Sequence, residues 1–327
     1  MSNKTVRPTT AELTRADRWD HVLARLGWRR GEHRVEPGLY AVGHPNEDSP
    51  VLVTANYTLS FDALREALAG FDAYILVLDT KGVNVWCAAG KGTFGTEELV
   101  GRLALANLHQ VVRHRRLILP QLGATGISAR EVERRSGFKV EYGPVRARDI
   151  GEYLRLGRAT AGMRRVRFDW RDRAVLVPVE VVNVFVPTGV TALAVALILG
   201  PVPALATVVA VASGVVGFPL LLPWLPSVDF STKGAFLGLL AALPFAGLAV
   251  RSMGSAVWLG VASALQFLLV MPAVSAFLAL NFTGATPFTS RSGVESEMAK
   301  YIRPMAAAFG SGLLLAVFVR LIGLRGV

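Results

Sequence analysis

Residues 84–91 read Asn84-Val85-Trp86-Cys87-Ala88-Ala89-Gly90-Lys91 and hold the single cysteine of the chain. They follow an apolar run, Tyr74 to Asp79, whose length and β-branched content predict a buried strand. Asn84 can cap one short helical turn, which puts Cys87 at the third helical position and Gly90 at the helix exit. Unpaired amide N–H groups at a helix start, together with the nearby Lys91, favour the thiolate that a metal ligand or nucleophile needs. A plain core cysteine stays open as the alternative, because free cysteines are among the most buried residues.

The composition divides the 327 residues into two halves. With 52% hydrophobic residues and a mean hydropathy of +0.43, the chain is too apolar for a simple globular protein. Up to about Arg173 it is mixed and arginine-rich, whereas from Ala174 charged residues are scarce and apolar runs are long enough to cross a bilayer. About five spans are predicted: Pro178 to Leu199, Ala204 to Leu225, Gly234 to Val250, Ser255 to Leu280 and Met305 to Leu321. We therefore expect a soluble head on a multi-pass membrane base.

The net charge of +11 is concentrated in two clusters, at Arg113 to Arg116 and at Arg164 to Arg173. Cations next to a membrane span mark the cytoplasmic side and bind anionic membrane lipid. Met1 to Arg30 lacks the apolar segment of a cleavable signal and predicts an amphipathic helix that carries Trp19 and Trp28. The expected location is the inner (cytoplasmic) membrane, with the N-terminal domain in the cytoplasm. No nucleic-acid binding is expected, because no aromatic platform is interleaved with the cations.

The first half alternates between strand and helix patterns. Strands are predicted at Gly38 to Val42, Val51 to Thr54, Ala73 to Asp79, Leu117 to Leu119 and Phe138 to Tyr142, and helices at Ser60 to Ala69, Thr96 to His109, Ser128 to Arg135 and Ala147 to Leu156. This alternation predicts a mostly parallel sheet covered on both faces, an α/β Rossmann-like domain followed by an all-α polytopic membrane domain. Ligands of such sheets lie beyond the carboxyl ends of the strands, where Thr54, the turn after Asp79 and the turn Gln121 to Gly126 converge.

The stretch at 84–91 resembles the cap-helix motif of the HgcA family, the membrane-bound corrinoid proteins of microbial mercury methylation. The soluble part of that family is similar to the corrinoid domain of the iron–sulfur methyl carrier of the acetyl-CoA pathway. The resemblance extends to Val51 to Tyr57, to Ser136 to Val145 and to Asn281 to Ser290, and so spans the chain from about Gly38. The expected regions are an N-terminal helical extension (1–34), a corrinoid-binding α/β domain (35–160), a basic juxtamembrane linker (161–177) and a transmembrane domain (178–327).

The resemblance implies a cobalamin-type corrinoid in base-off form, with the Cys87 thiolate as the lower axial ligand of cobalt. The residues that would bind the cofactor are Thr54, Asn84, Val85, Trp86, Cys87, Ala88, Ala89, Gly90, Lys91, Gly92, Thr93 and Gly123. The implied activity is that of a corrinoid-dependent methyltransferase, which transfers a methyl group as a carbanion equivalent to a Hg(II)-thiolate substrate and gives methylmercury. The implied methyl donor is a methyltetrahydrofolate-linked methyltransferase.

A single cysteine excludes an internal disulfide and a cysteine-bound iron–sulfur cluster within these residues. Electrons of low potential would then come from a separate ferredoxin-like 4Fe-4S electron donor, which is the HgcB type of protein in the resembled system. The five histidines are scattered and show no metal-ligand spacing. The polar, Thr/Ser-rich segment from Asn281 to Pro304 is expected to be a cytoplasmic loop that docks the head or the electron donor.

Two alternative functions remain open. The chain could be a membrane-bound methyl carrier of the acetyl-CoA pathway without a mercury role, or a corrinoid- or nucleotide-sensing head on a membrane transporter. Gly90 to Gly95 also matches the G-x-G-x-x-G pattern of dinucleotide sites, but no acidic residue follows the strand Leu117 to Leu119, where a ribose-binding carboxylate would belong. Those glycines are expected to let the backbone approach a flat cofactor, and Trp86 and Phe94 either flank that cofactor or fill the core.

Overall fold

A computed structural model of the chain describes residues 6–29, 31–252, 257–286 and 291–324. It divides into two compact units, Met1–Arg167 and Phe168–Val327, called here the head and the membrane unit. The head contains an α/β sheet domain and the membrane unit is helical, so the expected fold class is confirmed.

The head is built around one six-stranded sheet in the order β1-β2-β4-β3-β5-β6. Every neighbouring pair is parallel except β2 and β4. Strands β3 and β4 are buried along their whole length, which explains their uninterrupted apolar sequence. In chain order the elements are β1 (Val6–Thr9), α1 (Arg15–Arg25), β2 (Gly38–Val42), β3 (Val51–Ala55), α2 (Thr58–Ala67), β4 (Ala73–Leu78), α3 (Val85–Lys91), α4 (Thr96–Leu105), α5 (Leu108–Val111), β5 (Arg116–Leu119), α6 (Ala129–Ser136), β6 (Lys139–Tyr142) and α7 (Ile150–Leu156).

Three local predictions for the head are wrong. Helix α2 begins at Thr58, two residues before the predicted start and cap at Ser60, and the preceding Tyr57 side chain makes no capping bond. The single helix expected to run to His109 is interrupted at Asn107, whose backbone adopts a left-handed conformation with φ of 46°. The helix expected within residues 1–30 covers only Arg15–Arg25, and the segment before it forms an edge strand, β1.

Buried Arg65 on α2 anchors the N-terminal segment to the sheet domain. Its guanidinium donates to the carboxylates of Asp62, at 2.6 Å, and Asp17, at 2.8 Å. It also donates to the backbone carbonyls of Thr10, at 2.9 Å, and Glu12, at 2.7 Å. These donors are satisfied within the head, as a buried charge requires. The segment before α1 is therefore part of the packed head.

A second anchor joins α1 to the loop that follows it. Buried His33 places one ring nitrogen 2.7 Å from the Asp20 carboxylate and the other 2.5 Å from the Trp28 carbonyl oxygen. Burial of the ring opposes its charge, but the Trp28 carbonyl and the Asp20 carboxylate together raise the pKa of His33 above its usual value. His33 is thus a structural residue of the head.

The membrane unit contains five helical stretches that are long and apolar enough to cross a membrane, as expected. They are Trp170–Leu199, Pro201–Leu221, Phe230–Ser252, Val257–Asn281 and Ser292–Ile322. Its elements are α8 (Trp170–Ala174), α9 (Val177–Leu199), α10 (Pro201–Ala212), a π-helical turn (Ser213–Gly217), α11 (Phe218–Leu221), α12 (Phe230–Ser252), α13 (Val257–Asn281) and α14 (Arg291–Leu324).

Helices α12 and α13 approach each other closely through glycine. A Cβ atom on Gly234 would lie 2.5 Å from the Cβ atom of Ala279, and one on Gly238 would lie 2.7 Å from the Met271 carbonyl oxygen. Small residues at such positions are the usual means of packing helices in a bilayer. Helices α12 and α13 therefore pack with their backbones close together.

The predicted loop from Asn281 to Pro304 is wrong over its second half, since α14 already begins at Arg291. Contacts with the start of α12 stabilise this added helix: Glu297 accepts from the Ser231 backbone N–H at 2.6 Å, and Tyr301 donates to Asp229 at 2.5 Å. Residues 287–290, which carry part of the resemblance near the chain end, lie outside the described residues.

Candidate functional site

A cavity of about 380 Å³ lies at the carboxyl ends of β3 and β5. Its floor includes Thr54 of β3 and Leu119 of β5, and one wall is the first turn of α3. Helix α2 and the segment that follows β6 complete the lining. This is the edge where open parallel sheets bind their ligands.

The turn that leads into α3 is held by a buried asparagine that was not among the predicted site residues. The side-chain oxygen of Asn56 accepts hydrogen bonds from the backbone N–H groups of Thr80, at 3.1 Å, and Gly82, at 3.0 Å. Asn56 directly follows β3, and it is 2% exposed. The start of α3 is thereby tied to the end of a central strand, which gives the cavity wall a defined position.

Helix α3 starts as the sequence predicts. The Asn84 side-chain oxygen accepts a hydrogen bond of 2.9 Å from the backbone N–H of Cys87, which occupies the third helical position. The predicted exit at Gly90 is wrong, because the helix continues to Lys91 and ends at Gly92, whose φ is 82°. Only glycine adopts that conformation without steric cost, so Gly92 is the residue that terminates α3.

The residues proposed from sequence to bind a cofactor divide into three groups. Thr54, Asn84, Val85 and Trp86 line the cavity. Cys87 follows them and is half-buried, while Ala88 and Ala89 are buried in the core behind α3. Gly90, Lys91 and Gly92 are exposed at the far end of the helix, and the Thr93 hydroxyl lies 3.5 Å from the Ala88 carbonyl oxygen.

Gly123 and Phe94 form a packing unit beside α3. The Phe94 ring is fully buried, and a Cβ atom on Gly123 would lie 2.5 Å from its Cε1 atom. A Cβ atom on Gly95 would similarly lie 2.6 Å from the Gly92 carbonyl oxygen. Of the two aromatic residues left open by sequence, Phe94 therefore fills the core and Trp86, which is 37% exposed, faces the cavity.

Several lining residues were not singled out from sequence. They lie on α2 and on the segments after β5 and β6, and include Leu59, Ser60, Ala63, Pro120, Leu122 and Val145. The signal that could have found Pro120, Leu122 and Val145 is their position just after predicted strands. The lining residues on α2 carry no such signal, because small apolar residues on one face of a helix usually indicate that this face packs against the core.

Cys87 is the one cysteine that this chain could offer to a metal. Among the described residues no group of three or more His, Cys, Asp or Glu side chains could hold a metal ion. Free zinc, for example, takes three or four protein ligands. Within the same described parts of the chain, no hydrogen bond to the Cys87 sulfur is formed, so this half-exposed soft donor is available to one further ligand.

Loss of the Asn84 cap is expected to loosen α3. Asn84→Ala removes the acceptor of the Cys87 N–H, which should cost about 1 kcal/mol and raise amide hydrogen exchange in residues 85–91 by about fivefold. Hydrogen-exchange mass spectrometry of the full chain in detergent measures this rate. Asn84→Ser keeps a capping oxygen and is the matched control. Equal exchange in the alanine and serine variants would show that the cap contributes nothing.

Sequence comparisons relate the head to known proteins. Residues 16–154 match the family described as the CO dehydrogenase/acetyl-CoA synthase delta subunit. Acetyl-CoA decarbonylase/synthase complex subunit gamma of Methanopyrus kandleri is 35% identical over 127 residues, covering 38% of this chain and 27% of that protein. The corrinoid/iron-sulfur protein large subunit of Moorella thermoacetica is 30% identical over 157 residues, covering 45% of this chain and 35% of that protein.

The chain spans about a quarter to a third of the length of these curated relatives. The matched part covers most of the sheet domain and includes β2 to β6 together with α3, but not β1. The head is therefore related in sequence to a group of proteins that includes a corrinoid/iron–sulfur protein.

Proposed function

We propose that the head binds a cobalamin-type corrinoid in base-off form over the cavity at the carboxyl ends of β3 and β5. The observation that carries this proposal is the half-exposed Cys87 at the third position of the capped helix α3, next in the chain to Trp86, which lines that cavity. The corrinoid relative of the head supports the choice of cofactor. Thr54 at the floor and Trp86 at the wall are positioned to contact a flat ring from two sides.

Cys87 supplies the lower axial ligand in this proposal. Its own backbone N–H is already bonded to Asn84, so the cap orients the residue while the sulfur remains available. A bound corrinoid would supply a cobalt that accepts a methyl group and gives it up to an acceptor. A thiolate donates electron density strongly, and this favours departure of the methyl group as a carbanion equivalent. The proposed activity is thus a corrinoid-dependent methyltransferase that transfers to Hg(II) and gives methylmercury, as in the HgcA family.

The membrane unit and the charge distribution support a cytoplasmic head. The arginines from Arg164 to Arg173 lie just before and at the start of the first apolar stretch, Trp170–Leu199, and such cations stay on the cytoplasmic side. Our proposal places the chain in the inner membrane as a multi-pass protein, with the basic linker against anionic lipid. The methyl donor would be a methyltetrahydrofolate-linked methyltransferase in the same compartment.

A separate electron donor is part of the proposal. Cobalt must be reduced after each carbanion transfer, and a cluster of the 4Fe-4S type needs four cysteine ligands. The chain has one cysteine, so a ferredoxin-like protein of the HgcB type would deliver the electrons.

Methyl transfer from the full-length protein tests the proposed function directly. Holoprotein that carries an isotopically labelled methyl group is mixed in membranes with Hg(II) bound to small thiols, and labelled methylmercury is measured. We expect stoichiometric transfer in a single turnover. Retention of the label on the protein in the presence of Hg(II) would exclude the mercury role.

The second candidate is a membrane-bound methyl carrier of the acetyl-CoA pathway. Relatives named as acetyl-CoA decarbonylase/synthase subunits favour it. The same labelled holoprotein separates the two functions, since this carrier would transfer its methyl group to an acetyl-CoA synthase and leave Hg(II) unmethylated.

A further inference from the structure

Helix α1 presents an outward face that the fold of the head leaves uncovered. Trp19 is 62% exposed and Val22 is 43% exposed, and Arg15, Arg18 and Arg25 on the same side are exposed as well. At 100° per residue these five positions form one stripe, centred on Val22 and opposite the buried Ala24. We call this stripe the α1 face.

The opposite side of α1 is held against the head. Asp17 pairs with Arg65 at 2.8 Å, His21 lies 2.7 Å from Asp62, and Ala24 is buried. Asp20 is engaged with His33 at 2.7 Å. Because these contacts prevent rotation of the helix, the α1 face must point away from the sheet domain.

The charge on the α1 face is of one sign. The acidic residues of α1, Asp17 and Asp20, are turned inward, and no ion pair of Arg15, Arg18 or Arg25 is formed within the described parts of the chain. Exposed Trp28 follows the helix and extends the aromatic surface, while the neighbouring Arg29 is paired with Glu32. The surface therefore combines unpaired cations with large aromatic side chains.

We infer that the α1 face docks on the surface of an anionic lipid bilayer. Arginines attract anionic headgroups, and a tryptophan beside them is suited to the headgroup–acyl boundary. The membrane unit supplies the reason to favour lipid over a protein partner, since this chain itself carries five helical stretches long and apolar enough to cross a membrane, which would tether the head to a bilayer. The docking site is separate from the basic linker, because α1 belongs to the folded head.

The test uses the full chain in lipid nanodiscs. A Val22→Cys substitution in a Cys87→Ala background carries an environment-sensitive fluorophore, and spin-labelled acyl chains serve as quenchers. The expected result is quenching in discs that contain phosphatidylglycerol and little quenching in discs of phosphatidylcholine alone. Absence of quenching in both discs would overturn the inference.

Charge-reversal variants test whether the arginines of the α1 face cause the docking. Arg15→Glu with Arg18→Glu should lower the docked-to-free ratio by about fivefold or more, because the two cations become anions. Arg130→Glu with Arg158→Glu changes the net charge equally at exposed arginines away from α1 and should leave quenching unchanged. Trp19→Ser is expected to weaken quenching without a change of charge.

Two further outcomes would each contradict the proposal that the α1 face docks on lipid. Equal loss of quenching in both double variants would show that docking depends on the overall charge of the protein. It would overturn the assignment of docking to the α1 face. A fluorophore that stays in water in every disc, but changes its emission when a soluble protein is added, would assign the α1 face to a protein partner and also overturn the lipid proposal.

Discussion

Cys87→Ala is expected to abolish methyl transfer to Hg(II) and to remove the sulfur-to-cobalt absorption feature of the reconstituted protein. The chain contains no second cysteine that could replace the lost sulfur. Even residues that only orient a metal ligand cost about 10- to 100-fold when mutated, so loss of the ligand itself should lower the transfer rate by at least about 100-fold. Absorption spectra and single-turnover kinetics on the same preparation measure both effects.

The control for this variant tests whether helix α3 is still folded. Cys87 is half-buried, and its backbone N–H bond to Asn84 survives the substitution, so hydrogen exchange in α3 should be unchanged. Cys87→Ser retains a weaker axial donor and is the matched comparison. A spectrum that is identical in the original and alanine proteins would remove Cys87 from the cobalt site, whatever the effect on activity.

Gly123→Ala is expected to lower the stability of the head. The added Cβ atom would lie 2.5 Å from Cε1 and 3.1 Å from Cδ1 of the Phe94 ring, which is fully buried and cannot move into solvent. Overpacking of this kind costs about 1–3 kcal/mol. Hydrogen exchange in β4, which reports opening of the whole head, should accelerate by about 30-fold for a cost near 2 kcal/mol.

Two variants separate overpacking from other effects of glycine. Gly101→Ala, on the exposed side of α4 with no atom within 4 Å of the added Cβ, should instead stabilise the head by about 0.5–1 kcal/mol. Phe94→Leu makes room for the Cβ atom, so the cost of Gly123→Ala should fall in the double variant. Additive costs would show that the Phe94 contact is not the cause.

The parts of the site that the sequence predicted correctly depend on local chemistry. Tyr74 to Asp79 is apolar and β-branched, and Asn84 precedes a helical segment at the spacing that a side-chain cap needs. Each of these signals is contained within a few residues. The structure accordingly confirms the strand β4, the cap and the third helical position of Cys87.

The parts that were missed depend on residues distant in the chain. Strand β1 forms because it pairs with β2, and the segment that follows it supplies carbonyls to Arg65, more than fifty residues further along the chain. The first turns of α14 form against Ser231 and Asp229 rather than through an apolar pattern of their own. Hydrophobic periodicity carries no information on such pairings.

The buried Arg65 also sets a limit on how the head can be exchanged between proteins. Two of its acceptors, the carbonyls of Thr10 and Glu12, lie before the stretch of 16–154 that matches the family. A domain transplanted at the border of the matched sequence would keep the guanidinium in the core and lose those acceptors, at a cost of about 1–3 kcal/mol for each group left unpaired. The folded head thus includes residues that lie before the matched stretch 16–154. A recombinant protein that carried only the matched stretch would have a less stable head.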